Sequence, residues 1–254
     1  MLRKLVLVLL IYPLVFFWTF VSGMTGMLFS VVFRLPEFTL SFVPGRMWAP
    51  VILKLLGVRL IVQGIENVKP DVPSIFVANH SSFLDIPACV TAIRVNLNFI
   101  AKKELKHTPV VGWYISATKQ IFIDRKDKQK AQRSMQVAAQ RIREGKHVLS
   151  YAEGTRSKDG EVQLFRRGAF IIAKDGDIPI VPVAVSGAHA CLPAKGWWVN
   201  RGTITITIGE AFRPSDYPSE TAEQLAERAR QRVIAIMALV ANCSKSSQER
   251  QQVC

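Results

Sequence analysis

Two hydrophobic rhythms divide this chain. From Leu5 to Phe33 the sequence LVLVLLIYPLVFFWTFVSGMTGMLFSVVF runs for 29 residues without a charge, between Arg3–Lys4 on one side and Arg34 on the other. A bilayer core needs about 20 apolar residues in helix. At about 1.5 Å per residue this run would reach roughly 43 Å as one straight helix, more than the core requires. Pro13 and the Gly23/Gly26 pair interrupt it. Basic residues flank both ends, so charge favours no one-way crossing. A two-helix hairpin or a re-entrant element is therefore expected ahead of two alternatives. One is a single tilted span. The other is a cleaved secretory signal with Val21-Ser22-Gly23 as its processing site, against which the apolar residues beyond Gly23 weigh. Residues 35–47 carry two prolines and a glycine and read as a linker.

The second rhythm begins near residue 58, where short apolar runs alternate with polar stretches of helical period. Trp48 to Val62 reads as an interfacial helix followed by a strand. Strands are expected at Ser74–Ala78, Val148–Ala152, Ile178–Ser186 and Thr203–Ile208. The third of these contains two prolines, which is unusual for a central strand. Asp127 to Glu144 has Ala131, Met135, Ala138 and Ile142 on one helical face, with Gly145 as a stop. The last helix opens with Thr221 and Gln224 at capping-box spacing and carries the stripe Leu225, Ala229, Val233, Ile236 and Val240. This pattern predicts an α/β fold. The expected organisation is an N-terminal membrane-associated helical element with its linker (1–47), an α/β domain (48–242) and a loose polar tail (243–254).

Composition sharpens that picture. Hydrophobic residues make up 49% and charged residues 20% of the 254, which excludes a disordered chain and leaves enough apolar surface for one sizeable core. The net charge of +14 points to anionic partners: nucleic acid, acidic lipid or phosphorylated substrates. Between residues 102 and 133 nine Lys/Arg face three acids. The cluster lacks interleaved stacking residues, which weighs against nucleic acid. The four cysteines are scattered without a Cys-x-x-Cys pair, so neither a zinc knuckle nor a disulfide framework is indicated.

Four segments carry candidate chemistry. Asn79-His-Ser-Ser-Phe-Leu-Asp85 directly follows an expected strand. His80 and Asp85 would lie about 140° apart on a regular helix and on opposite faces of a strand. They meet only if the chain turns between them, as at a strand-to-helix junction. An Asp bonded to one imidazole nitrogen fixes the tautomer and leaves the other nitrogen to take a proton from an alcohol. A capping Asp beside a structural His is the plainer reading of such a pair taken alone. The second segment, Ile121–Arg125, ends an apolar run within the basic cluster. The third, Glu153-Gly-Thr-Arg-Ser157, follows a strand; Gly154 permits a tight turn and Arg156 offers a planar fork matched to phosphate. The fourth is Ile178-Pro-Ile-Val-Pro182, at the start of a strand.

In this order the four segments resemble the signature blocks of the glycerolipid acyltransferase family, with bacterial 1-acyl-sn-glycerol-3-phosphate acyltransferases the nearest likeness. Asn79-His80 with Ser82 and Asp85 matches the first block, Phe122–Arg125 the second, Glu153–Ser157 the third and Ile180-Val181-Pro182 the fourth. Ala152 stands where the family usually has proline. The resemblance covers roughly residues 55–215 and implies a mixed central sheet flanked by helices. It implies that His80 is the general base, oriented by Asp85, and that the lipid hydroxyl attacks a thioester directly. Ser81, Ser82 and Cys89 then need not be nucleophiles. It further implies that Lys102, Arg125 and Arg156 hold the acceptor phosphate, that Glu153, Gly154 and Thr155 shape the acceptor pocket, and that Pro182 walls the donor. The implied partners are a lysophospholipid, acyl-CoA or acyl-carrier protein as co-substrate, and an anionic membrane. No metal, further cofactor or nucleic acid is expected, and the implied location is the cytoplasmic face of the inner (cell) membrane. Rival readings are a different lysophospholipid acceptor, a membrane-bound thioesterase or hydrolase, or a basic membrane binder without activity. The chain has no Gly-x-Ser-x-Gly elbow for a serine hydrolase.

Overall fold

A computed structural model of the chain describes residues 2–35, 43–124 and 127–252. Seven strands form one sheet: β1 (Val58–Gln63), β2 (Ile75–Ala78), β3 (Leu97–Lys102), β4 (Ile121–Ile123), β5 (His147–Tyr151), β6 (Ile180–Ser186) and β7 (Gly202–Ile208). Their order is β1-β7-β6-β2-β5-β3-β4. Only β6 and β7 run antiparallel; the other neighbouring pairs are parallel, so the sheet is mixed, as expected.

Alternation along the strands builds two cores. Phe76 and Ala78 of β2, Val181, Val183 and Val185 of β6, and Ile204, Ile206 and Ile208 of β7 face one layer. That layer contains α3 (Ala49–Leu55), α4 (Asp85–Ala92) and α8 (Ala188–Cys191). Ile75, Val77, Val148 and Ile180 face the other. There lie α6 (Lys128–Arg143), α7 (Gly168–Gly176) and α9 (Ala222–Gln252). β2 is buried on both sides, which explains why it reads as an unbroken apolar run. In β7 every second residue is Thr, turned away from the core that the isoleucines enter. The stripe residues Leu225, Ala229 and Val233 of α9 are fully buried, and the capping box forms as spaced.

Pro182 stands in the middle of β6, where a proline lacks the N–H a ladder needs. Its neighbour makes room. Ile208 pairs with Val183 and Phe212 with Ile180, so Gly209–Ala211 bulge opposite Val181 and Pro182. The Pro182 carbonyl still accepts from the Gly209 N–H at 2.8 Å.

Three sequence expectations need correction. The bend expected within Leu5–Phe33 is absent. α1 (Leu2–Val6), a π-helical turn (Leu7–Ile11) and α2 (Tyr12–Val31) run on as one rod. The wider turn just before Pro13 relieves the clash and the missing hydrogen bond that would otherwise break a helix there. Gly23 and Gly26 are not breakers either. A Cβ on Gly26 would lie 2.4 Å from Tyr114 Cε2, and one on Gly23 2.6 Å from Val110 Cγ1, so they let the rod pack closely on the segment at α5 (Val111–Ala117). Second, part of the expected linker is helical: Val43–Trp48 form a π-helical turn that leads into α3, with residues 36–42 outside the description. Third, α9 continues through the polar residues to Gln252 rather than ending near 242, since no Gly or Pro stops it.

Candidate active site

The His80 loop leaves the C-terminal end of β2 and enters α4 at Asp85, the junction that the His–Asp spacing demanded. His80 Nδ1 lies 2.7 Å from Asp85 Oδ2. The same oxygen accepts the Ser81 and Ser82 N–H groups at 2.7 and 2.8 Å. Asp85 is fully buried and the His80 side chain 15% exposed. A single carboxylate oxygen thus closes the loop and holds the ring. With Nδ1 bonded to Asp85, Nε2 on the far side of the ring is the nitrogen available for proton transfer.

Partners from distant strands hold the loop from outside. The Asn79 amide clasps the backbone of β6, donating to Val185 O at 2.9 Å and accepting from Val185 N at 2.8 Å. Glu153 Oε1 accepts the His80 N–H at 3.0 Å, and the Ser157 N–H donates to His80 O at 2.8 Å. The Glu153 segment is itself a turn after β5. Gly154 has φ of +78°, a backbone conformation that strains residues with a Cβ, and the Arg166 side chain lies where such a Cβ would sit. Burial pushes the Glu153 carboxyl up to about 7, against the lowering effect of the His80 N–H.

An aromatic residue missed in the sequence lies under the imidazole. Ala78 of β2 is in register with Tyr151 of β5. Two residues further on, His80 emerges on the same face, and its ring stacks on Tyr151 with centroids 4.1 Å apart and planes 19° from parallel. The aromatic just before Ala152-Glu153 was the available signal, since alternation along β5 puts it on the face shared by Phe76 and Ala78. Phe83, inside the first block, has an equally local role. The Arg156 guanidinium lies 3.6 Å above its ring, in the geometry of a cation–π contact. Burial lowers the Arg156 pKa, and its Nη1 is buried without a hydrogen-bond partner.

Residues 59–186 match the family model described as acyltransferase. The chain belongs to that family. It is similar to the 1-acyl-sn-glycerol-3-phosphate acyltransferase of Saccharomyces cerevisiae, 30% identical over 84% of this chain and 71% of the yeast enzyme. It is also similar to a 1-acyl-sn-glycerol-3-phosphate acyltransferase of Chlamydomonas reinhardtii, 33% identical over 69% of this chain. The chain spans only about half (52%) of that longer relative. Among solved structures, the 1-acyl-sn-glycerophosphate acyltransferase PlsC of Thermotoga maritima superposes with a TM-score of 0.81 at 28% identity, over 94% of this chain and 97% of that one.

Not all the residues expected at this acyltransferase site converge. His80, Asp85, Glu153, Gly154 and Arg156 do, through the contacts above. Thr155 is exposed on the rim beside Arg156. Lys102 ends β3, is 56% exposed and lies 3.7 Å from Glu104. The residue next to it is the better anchored: Lys103 Nζ lies 2.6 Å from Asp124 Oδ2, so the second block's Asp ties down the basic turn after β3. Arg125 lies outside the described residues. Pro182 is buried in the sheet opposite Val77, three positions before His80, and its ring abuts Gly209. The bulge at Gly209–Ala211 explains how the strand accommodates it.

Proposed function

We propose that this acyltransferase moves an acyl chain from a thioester, acyl-CoA or acyl-carrier protein, to the free hydroxyl of lysophosphatidate, giving phosphatidate. The reading rests above all on the 2.7 Å contact between His80 Nδ1 and Asp85 Oδ2 in a loop whose other bonds leave Nε2 free to act. In the proposed step, Nε2 removes the hydroxyl proton as the oxygen attacks the thioester carbonyl. The tetrahedral intermediate collapses, the C–S bond breaks, and the thiolate takes the proton back from the imidazolium. Asp85 stabilises that imidazolium and holds its tautomer. No acyl-enzyme is needed, and Cys89 fits none: it is fully buried, and burial drives its thiol up to about 12. The partnerless Nη1 of Arg156, propped on Phe83, is a donor suited to the acceptor phosphate.

The acceptor is a membrane lipid, and the rod supplies the means to reach it. Arg3–Val31 is long and apolar enough to cross a membrane. Its contacts argue for lying along the surface instead. Arg3 Nη2 donates to Val199 O, Trp18 Nε1 to Met47 O, and Ser30 Oγ to Ala117 O, so the domain holds the rod from end to end. Its outer side presents Leu9, Phe16 and Phe17, each at least 64% exposed. A rod half-sunk in one leaflet satisfies both faces. Both proposed donors, a CoA thioester and an acyl-carrier protein, are water-soluble, and we propose that they reach the site at the cytoplasmic leaflet of the cell membrane.

The test is an acceptor panel, with acyl-CoA and acyl-carrier protein as separate donors, read by lipid mass. Phosphatidate formation that requires lysophosphatidate is expected. Thioester loss at the same rate without acceptor would replace the transferase by a hydrolase. An Arg156→Lys variant is expected to raise the KM for acceptor, because a point charge replaces a fork; unchanged acceptor kinetics would remove the phosphate assignment.

A further inference from the structure

The connection from β6 to β7 carries two adjacent indoles that the catalytic reading does not use. Trp197 is 80% exposed and Trp198 41%. They are not on a loose tip. The Tyr12 hydroxyl donates to Trp197 O at 2.5 Å, and the Val199 N–H donates to that hydroxyl at 3.4 Å. Arg3 donates to Val199 O at 3.0 Å, and Val199 itself is buried. Lys4 Nζ lies 5.0 Å over the Trp198 ring. The loop is therefore fastened to the start of the rod at Arg3, Lys4 and Tyr12, and the Trp197 ring is held outward, 80% exposed.

The charge carried by the two segments that meet here has one sign. Arg3, Lys4, Lys195 and Arg201 lie in or against this surface, and neither residues 1–36 nor residues 178–209 contain an Asp or Glu. Two rigid amphipathic rings within a purely cationic rim suit the boundary between water and an anionic leaflet, where indoles settle at headgroup level. The place in the fold agrees. β6 is parallel to β2, so the connection leaves the same sheet edge as the His80 loop.

We infer that Trp197 and Trp198 form a second lipid-contact element, which rests on a negatively charged headgroup layer beside the rod and fixes how far the His80 edge stands from the bilayer. This rests on the membrane reading above and extends it from the rod to a loop more than 180 residues later. Among the described residues neither indole N–H makes a hydrogen bond, and Trp197 is 80% exposed; a thermal-unfolding control for Trp198, whose ring takes the Lys4 contact, separates binding from folding.

The experiment measures partition of the full chain onto phosphatidylcholine vesicles, with and without phosphatidylglycerol. A Trp197→Ala/Trp198→Ala variant is expected to bind both at least about tenfold more weakly, as lost interfacial burial demands. Lys4→Gln and Lys195→Gln are expected to weaken binding only to the anionic vesicles, by about fivefold per charge. Phenylalanine at both Trp positions restores part of the affinity. Turnover of a monomeric short-chain lysophosphatidate stays at the parental rate in the double alanine variant, while the KM for vesicle-embedded acceptor rises. A rod variant, Leu9→Asp/Phe16→Asp, separates the two readings. If it loses binding and the tryptophan variant does not, the loop inference is overturned and the membrane reading stands. If neither loses binding, both fall. If the tryptophan variant binds vesicles normally but loses a dimer seen by light scattering, the occupant of this surface is a second copy of the chain, and the lipid inference is wrong.

Discussion

The seven residues from Asn79 to Asp85 are held by a dense set of directional hydrogen bonds, and the rod of Arg3–Val31 by a few widely spaced ones together with close packing at its glycines. In the loop, one carboxylate oxygen takes an imidazole and two backbone N–H groups, and Asn79, Glu153 and Ser157 brace it from other strands. In the rod, few polar groups are available, and its path is set by where Gly23 and Gly26 let it touch Val110 and Tyr114. Polar groups have direction, so a spacing in the sequence constrains the geometry they reach. Apolar surface has none, so a run of leucines and phenylalanines states that a rod exists without stating what it lies on.

The comparison can be broken at either end. The largest effect is expected at the loop. His80→Ala should reduce turnover by at least about 10²–10⁴-fold, the worth of a positioned base, with thermal unfolding little changed. Appreciable residual transfer by lipid mass spectrometry would remove the mechanism. Asp85→Ala is expected to do two things at once. It should abolish most activity and also lower stability by roughly 2–4 kcal/mol, since it strips the acceptor from three buried donors. An unfolding midpoint unchanged in denaturant titration would show that the loop is held in some other way. At the rod, Gly26→Leu should cost about 1–3 kcal/mol by overpacking against Tyr114 and leave the kcat for a soluble acceptor intact. That is the opposite pattern to His80→Ala.

Two smaller effects sharpen the contrast inside the site. With its folded-state pKa raised to about 7, Glu153 binds more protons in the folded than the unfolded chain between its ordinary value of 4.5 and 7. The stability it contributes is fully present below the unfolded pKa and is lost as pH rises through the folded one. Glu153→Gln should therefore gain on the parent as pH rises across that window, by on the order of 2 kcal/mol, measured by unfolding at each pH. The smallest effect belongs to the stack. Tyr151→Leu should slow turnover by about three- to tenfold, because the imidazole loses the ring it stacks on. Tyr151→Phe should not, and equal behaviour of the two variants would reduce the ring to packing.

The same contrast explains what could be read from the sequence. The α/β class, the expected strands, the α6 and α9 faces and the junction that brings His80 to Asp85 follow from period or spacing, while the mixed sheet is implied by the family resemblance. The straightness of the rod does not, because Pro13 is accommodated by a π-turn and the glycines answer to a partner more than 80 residues away. How β6 tolerates Pro182 was hidden for a related reason: the bulge that accommodates it lies in a different segment, at Gly209–Ala211. Tyr151 lay within reach. Its role depends on the register of β2 against β5, which alternation suggests but does not determine.

The bracing of the His80 loop also bears on how the chain is made. Its supports come from Glu153 and Val185, which are 73 and 106 residues later in the sequence than the residues they hold. A ribosome that has delivered His80 and Asp85 has delivered the reactive groups without their frame. The loop gains its braces from Glu153, Val185 and Ser157 only after β5 and β6 have been made and have inserted on either side of β2. Until then only the contacts among residues 79–85 themselves can hold it.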